Sequence, residues 1–307
     1  MSKTNIYTKI LSVSSLVIAT ILVIQLFTFS STPKPEHTIT NSAGEYAIYS
    51  LPIPDSLSFA GEVVPLNRHD VKESLDRELL INTYWQSQTI LFIKRANRYF
   101  PIIEPILKEQ GVPEDFKYLA VIESGLMPRA KSPAGAAGIW QFMRTTAREY
   151  GLEVNREVDE RYNIEKATVA ACKYFKKAYK HYGNWTLVAA AYNAGKTGIA
   201  KQLNRQKTDN YYDLLLGEET GRYVYRIVAV KEILSNPDKY GFHVKKEDMY
   251  TTSDTKKIEI KGPVKNFADF AKKHNLSYKT FKNLNPWLRD TYLTNTSRKT
   301  YLVKIPG

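Results

Sequence analysis

Between about Val71 and Leu234 the sequence is almost unbroken helical text, and this constrains the fold more than any other feature. LDRELLINTYWQSQTILFIKRANRYFPIIEPILKEQG, PEDFKYLAVIES, RTTAREYG, KATVAACKYFKKAYKHYG and NWTLVAAAYNAG repeat apolar residues at the three-and-four spacing of one helix face. Several of these stretches end in glycine, and Pro113 and Asn184 stand where helices start. Short polar breaks join them, as in a compact all-α domain. After Pro237 the pattern changes. KIEIKG alternates as a strand, NFADFAKKHNLSYKTFKNLNP supplies two short helices, and TYLVKIP alternates again. The expected fold is therefore mainly α, with a small α+β module of βααβ order at the C-terminal end.

The N-terminal part reads differently. Lys3 and Lys9 precede a run from Ile10 to Phe29 without a charge, about the length of one membrane span. Basic residues ahead of that run predict a cytoplasmic N-terminus and an exported remainder, with the run as an uncleaved signal-anchor or a cleaved signal peptide. Residues 31–59, rich in Pro, Ser and Thr, read as a linker. The expected organisation is 1–30 signal segment, 31–59 linker, 60–240 helical domain and 250–307 C-terminal module.

Charge narrows the partner. Lys and Arg number 44 against 31 Asp and Glu, and residues 241–307 alone hold an excess of +8. Such a balance favours nucleic acid, a membrane surface or an acidic wall polymer, or is a plain solubilising surface. Export argues against nucleic acid. Cys172, the single cysteine, excludes an internal disulfide, and its small apolar neighbours mark it as an inert buried thiol. Five scattered histidines show no ligand spacing, so neither metal nor cofactor is expected.

One letter breaks the apolar rhythm. Counting back from Glu123 by three, four and seven gives Ala120, Leu119 and Phe116, so a carboxylate occupies a core position on its helix. Gly125 and Pro128 stop that helix, leaving Glu123 near its negative end. Dipole and burial both disfavour the charged form and raise the pKa, as a general acid requires. A structural glutamate paired with an arginine or capped by amides fits this helix equally. Downstream, RAKSPAGAAGIWQFM combines small residues with Ser132, Trp140, Gln141 and Met143, the mixture of open backbone, amide and apolar surface that suits a sugar ring. AAAYNAG places Tyr192 and Asn193 at the end of a tightly packing helix. In EETGRYVYRI, Glu219 and Tyr223 share a helix face.

ES at 123–124, GAAGIWQFM at 135–143, AAYNAG at 190–195 and ETGRYV at 219–224 stand in the order and spacing of soluble-lytic-transglycosylase-type domains of the goose-type lysozyme-like superfamily. The chain resembles the membrane-bound murein transglycosylase D group over about residues 60–235. That resemblance implies a lysozyme-like helical catalytic domain and cleavage of the MurNAc–GlcNAc bond of peptidoglycan strands to 1,6-anhydro ends. It also implies that Glu123 is the catalytic acid and base, and that Ser132, Gln141, Met143, Tyr192, Asn193, Glu219 and Tyr223 line the cleft. Ile139-Trp140 stands where many relatives have Leu-Met. The C-terminal module is similar to a LysM domain, a peptidoglycan-binding fold, although Gly262-Pro263-Val264 replaces the expected Gly-Asp-Thr run. Location at the cell envelope, with a membrane tether, follows. Oligomeric state is not legible. A hydrolytic muramidase on the same fold and a non-catalytic wall anchor are the competing functions.

Overall fold

The computed structural model describes residues 48–307, so the apolar run Ile10–Phe29 and the expected linker as far as residue 47 lie outside the described residues. Among the described residues no helix is long and apolar enough to cross a membrane. Leu51, Ile53 and Leu57, in the last part of the expected linker, pack against the main core. A short ribbon follows, β1 (Ser58–Phe59) paired with β2 (Glu62–Val63).

Eight helices form the body: α1 (His69–Tyr84), α2 (Gln86–Glu109), α3 (Phe116–Ser124), α4 (Arg144–Glu149), α5 (Ile164–Tyr182), α6 (Trp185–Ala194), α7 (Lys196–Gln206) and α8 (Glu218–Ser235). The mainly helical expectation is met. The stretch that reads as one long helix from residue 75 to 111 is two, because Trp85 (φ −90°, ψ 59°) leaves helical geometry. Asparagine side chains start two of the helices. Asn163 accepts from the Lys166 N–H, and Asn184 from that of Leu187. The Glu62 carboxylate also receives the first N–H groups of α6, from Trp185 and Thr186, at 2.6 and 2.8 Å.

Helix α6 is central. Ala189, Ala190 and Ala191 are fully buried, and their small side chains let α5, α7 and α8 all pack against it. Around it sits an aromatic cluster. The Phe116 ring centre lies 5.2 Å from Phe59, 4.3 Å from Phe175 and 5.3 Å from Trp185. Each such ring contributes roughly 2–3 kcal/mol of burial, which fixes α3 against α5 and α6.

Beyond the body, β3 (Thr255–Ile260), α9 (Phe267–Lys273), α10 (Tyr278–Leu284) and β4 (Tyr301–Pro306) give the βααβ order read from the sequence. The strands are antiparallel, with Ile258 opposite Val303. Fully buried Asn285 joins α10 to β4. Its amide donates to the Lys304 carbonyl at 2.7 Å and accepts from the Lys304 N–H at 2.7 Å. This module has its own apolar core, yet Ala137, Val158 and Tyr162 of the helical body belong to it. Backbone bonds cross as well: Asp159 N–H donates to the Trp287 carbonyl at 2.8 Å, and Arg289 N–H to that of Glu157 at 2.7 Å.

Candidate active site

The helical period of α3 buries Phe116, Leu119 and Ala120 completely, and this aims Glu123 along the same face. Gly125 ends the helix in the left-handed region (φ 59°), where a side chain would be strained. Next to it, the buried Ser124 hydroxyl reaches the Ile139 carbonyl at 2.8 Å, tying the end of α3 to the small-residue loop.

That loop is held from beneath by Arg161. Its guanidinium pairs with Asp159 and donates to the Gly135 and Phe142 carbonyls, both at 2.9 Å. Both members of the ion pair are buried. Gly138 packs so closely on this support that a β-carbon would stand 1.8 Å from the Arg161 carbonyl oxygen. The reason for a glycine there is backbone contact within the loop's own scaffold. Ser132 accepts from the Ala136 N–H at 3.0 Å, and Gln141 (φ 48°) donates to the Gly138 carbonyl at 2.7 Å.

A cavity of about 890 Å³ opens above these elements, lined in part by Glu123, Ser132, Gln141 and Glu219. Glu123 is half-buried, and the Tyr223 hydroxyl donates to its Oε1. Desolvation pushes the Glu123 carboxyl up to about 7. The Tyr223 hydrogen bond and the Arg226 charge oppose the rise, and the Glu219 charge adds to it. No ion pair to Glu123 exists among the described residues, so the structural reading that required an arginine partner is not realised. The other carboxylates of the cavity are engaged. Glu78 pairs with Arg222 at 2.6 Å, Glu218 with Arg77 at 2.8 Å, and Glu219 accepts from the Asn193 amide at 3.0 Å.

The remaining expected positions have other surroundings. Tyr192 donates to the Trp140 carbonyl at 2.7 Å and packs against Phe142, Tyr174 and Phe175. Its hydroxyl pKa is raised well above the usual tyrosine value by desolvation first and the Glu123 charge second. It thus backs the cavity without lining it. Asn193 spans α6 to α8 through Glu219 and Thr220. Met143 is exposed but lies outside the cavity lining. Trp140 is fully buried, with its indole N–H on Thr168 at 2.9 Å, so it offers no aromatic face to a ligand. Asp159 and Glu160 are structural, paired with Arg161 and Lys166. Among the described residues no group of three or more His, Cys, Asp or Glu could hold a metal ion.

Several lining residues escaped the sequence reading: Glu78, Asn82, Trp85 and Gln88 from the α1–α2 corner, and Arg222 and Arg226 from α8. The two arginines follow Glu219 by three and seven, a spacing that could have found them. Nothing marks the corner, since no Gly or Pro punctuates NTYWQSQ.

Residues 100–215 match the transglycosylase SLT domain, and residues 256–307 match the soluble lytic transglycosylase C-terminal LysM-like domain. The matched range contains Glu123, Ser132, Gln141, Met143, Tyr192 and Asn193, and ends before Glu219 and Tyr223. Over 231 residues the chain is 29% identical to the membrane-bound lytic murein transglycosylase D of Escherichia coli strain K12. That alignment takes in 73% of this chain and 49% of the relative, so the chain spans about half the relative's length. Among solved structures, the 70 kDa soluble lytic transglycosylase of Escherichia coli aligns with a TM-score of 0.40 and 20% identity, over 49% of this chain and 26% of that one. The lytic transglycosylase Slt of Pseudomonas aeruginosa aligns with a TM-score of 0.39 and 20% identity, over 50% of this chain and 26% of that one.

Proposed function

We propose that this protein is a peptidoglycan lytic transglycosylase. The observation that carries the reading is Glu123: a desolvated carboxyl with a pKa of about 7, without an ion pair among the described residues, facing a cavity large enough for a chain of sugar rings. At neutral pH such a group is divided between its acid and base forms, so one residue can perform both proton transfers. Protonated Glu123 gives its proton to the oxygen between MurNAc and GlcNAc as the C1–O bond breaks. The MurNAc 2-acetamido oxygen supports the developing cation at C1. The Glu123 carboxylate then takes the proton from the C6 hydroxyl, whose oxygen bonds to C1 and closes the 1,6-anhydro ring. The Tyr223 hydroxyl steadies the carboxylate between the two steps. Ser132, Gln141, Met143, Tyr192, Asn193 and Glu219 are assigned to the cleft or its support.

Two-carboxylate glycosidases need a second free acid. Here Glu78 and Glu218 are neutralised by arginines, and Glu219 is the carboxylate that a hydrolytic mechanism would have to recruit. The catalytic domain is assigned to about 60–240 and the LysM-like module to 250–307. Export and tethering through Ile10–Phe29 agree with the membrane-bound description of the Escherichia coli relative.

Digestion of purified sacculi, followed by mass spectrometry of the muropeptides, tests the reading. A transglycosylase releases anhydro products lighter by one water than those of a muramidase. Glu123→Gln should lower the rate by roughly 10²-fold or more. Hydrated products would make the protein a muramidase, and full activity in the variant would remove Glu123 from the chemistry.

A further inference from the structure

The seam between the helical body and the C-terminal module holds a second cavity, of about 630 Å³, which shares no lining residue with the one that Glu123 faces. Much of its wall is apolar, built from Pro101 of α2, Pro128, Pro286 and the exposed Leu302 of β4. The first turn of α5 borders it through Asn163 and Ile164, so the positive end of a 19-residue helix lies at the space. The two cavities adjoin at one point. Met127 lines the first, and Pro128, the next residue, lines the second.

Polar groups of this cleft lack partners. Trp287 is only 4% exposed and its ring packs beside Tyr301, yet its indole N–H has no acceptor among the described residues. A buried indole N–H ordinarily finds one, so an unmatched donor beside a cavity points to a ligand that carries the acceptor. The charges divide in the same way. Glu165 is taken by Lys304 at 2.5 Å, and Lys166 pairs with Glu160. Arg98 donates to the Thr251 carbonyl, but neither it nor exposed Lys257 has a carboxylate partner among the described residues, and the Asp254 carboxylate has no cation. Two available cations and one available carboxylate along an apolar trough suit a short peptide with several carboxylates and an amine. A polymer of N-acetylglucosamine carries neither group.

We infer that the seam cleft binds a short zwitterionic peptide, the stem that branches from a wall glycan, with Arg98 and Lys257 on its carboxylates, Asp254 on its amine and the Trp287 N–H on a peptide carbonyl. The identity of the peptide rests on the glycan-cleaving reading above. Because Met127 and Pro128 are consecutive, a stem carried by a glycan in the first cavity can enter the second. The cleft thereby favours stem-bearing strands over bare ones and leaves the proton transfers at Glu123 unchanged.

The test titrates the full chain by calorimetry with the free tetrapeptide L-Ala-γ-D-Glu-meso-diaminopimelate-D-Ala, which has no sugar to occupy the Glu123 cavity. Lys257→Glu should weaken binding by about tenfold, and Trp287→Phe, which keeps a ring but removes the N–H, by roughly fivefold. Lys257→Arg should retain it. Lys180→Glu, the same charge change on an exposed residue outside the cleft, should leave it unchanged. Because Lys257 is exposed, an unchanged melting temperature checks that the fold is intact. The parent chain should cut stem-bearing strands faster than strands whose stems an amidase has removed, and Lys257→Glu should erase that preference with the rate on bare strands unchanged. A tetrapeptide that does not bind, or binds every variant alike, overturns the cleft and leaves the role of Glu123 standing. Weakening by Lys180→Glu as large as that by Lys257→Glu reduces the binding to general attraction and overturns the cleft too. A parent chain that binds the peptide through Lys257 and Trp287 yet leaves sacculi intact keeps the cleft and overturns the glycan-cleaving reading.

Discussion

Glu123→Gln should make the protein more stable, and increasingly so as pH rises. The ordinary carboxyl value of 4.5 is raised to about 7 in the folded chain, chiefly by desolvation. Between those two values the folded state holds a proton that the unfolded state has released. The stabilising contribution is therefore complete below about pH 4.5 and is lost as pH rises through 7. The difference between the two pKa values corresponds to about 3–4 kcal/mol at roughly 1.4 kcal/mol per pKa unit, an upper figure because Glu123 is only half-buried. Glutamine resembles the protonated acid at every pH and avoids this loss. Urea unfolding of both proteins at intervals from pH 4 to pH 8 measures the gap. It should be near zero at pH 4 and reach about 2–3 kcal/mol in favour of glutamine at pH 8. A gap that stays constant across the series would refute a desolvated, raised carboxyl, whatever the variant's activity.

Three further outcomes are expected. Tyr223→Phe removes the hydrogen bond that favours the Glu123 carboxylate, so the alkaline limb of the rate profile should move up by about one pH unit, and an unmoved limb would show that the hydroxyl does not tune this group. Gly138→Ala places a β-carbon 1.8 Å from the Arg161 carbonyl oxygen at a φ of +80°, so thermal melting should show a loss of about 3 kcal/mol or more; a near-normal melting curve would contradict the geometry. The Cys172 thiol, pushed up to about 12 by burial, should resist a thiol reagent at pH 8 until the protein is unfolded, and prompt reaction in the native state would refute its burial.

Much of this architecture is legible in the sequence because periodicity and punctuation act locally. The buried face of α3, the asparagine cap of α6 and the βααβ order each follow from residues close together in the chain. Glu123 itself is detectable as a carboxylate in an apolar rhythm. What periodicity cannot supply is the partner on another element. The Tyr223 hydroxyl comes from α8, a hundred positions away, and neither residue names the other. Trp140 misleads for a related reason. Its neighbours suit a sugar, but Thr168 on α5 takes its indole N–H into the core. The corner at Trp85 is hidden because strong helix-favouring text continues through it, and only the tertiary fold reveals the break.

The seam between the helical body and the C-terminal module has one more consequence. Wall-binding modules on slack tethers act by raising local concentration, and their benefit changes with tether length. Here Glu157 takes the Arg289 N–H on its carbonyl and the Thr294 N–H on its carboxylate, and the Arg289 guanidinium lies 4.2 Å over the Tyr162 ring. These contacts hold the two parts directly against each other. On the proposed function, a wall polymer gripped by the module would be presented to Glu123 at a single angle and spacing, as by a gauge with fixed jaws, and the match to the wall's own repeat would replace the statistics of a leash.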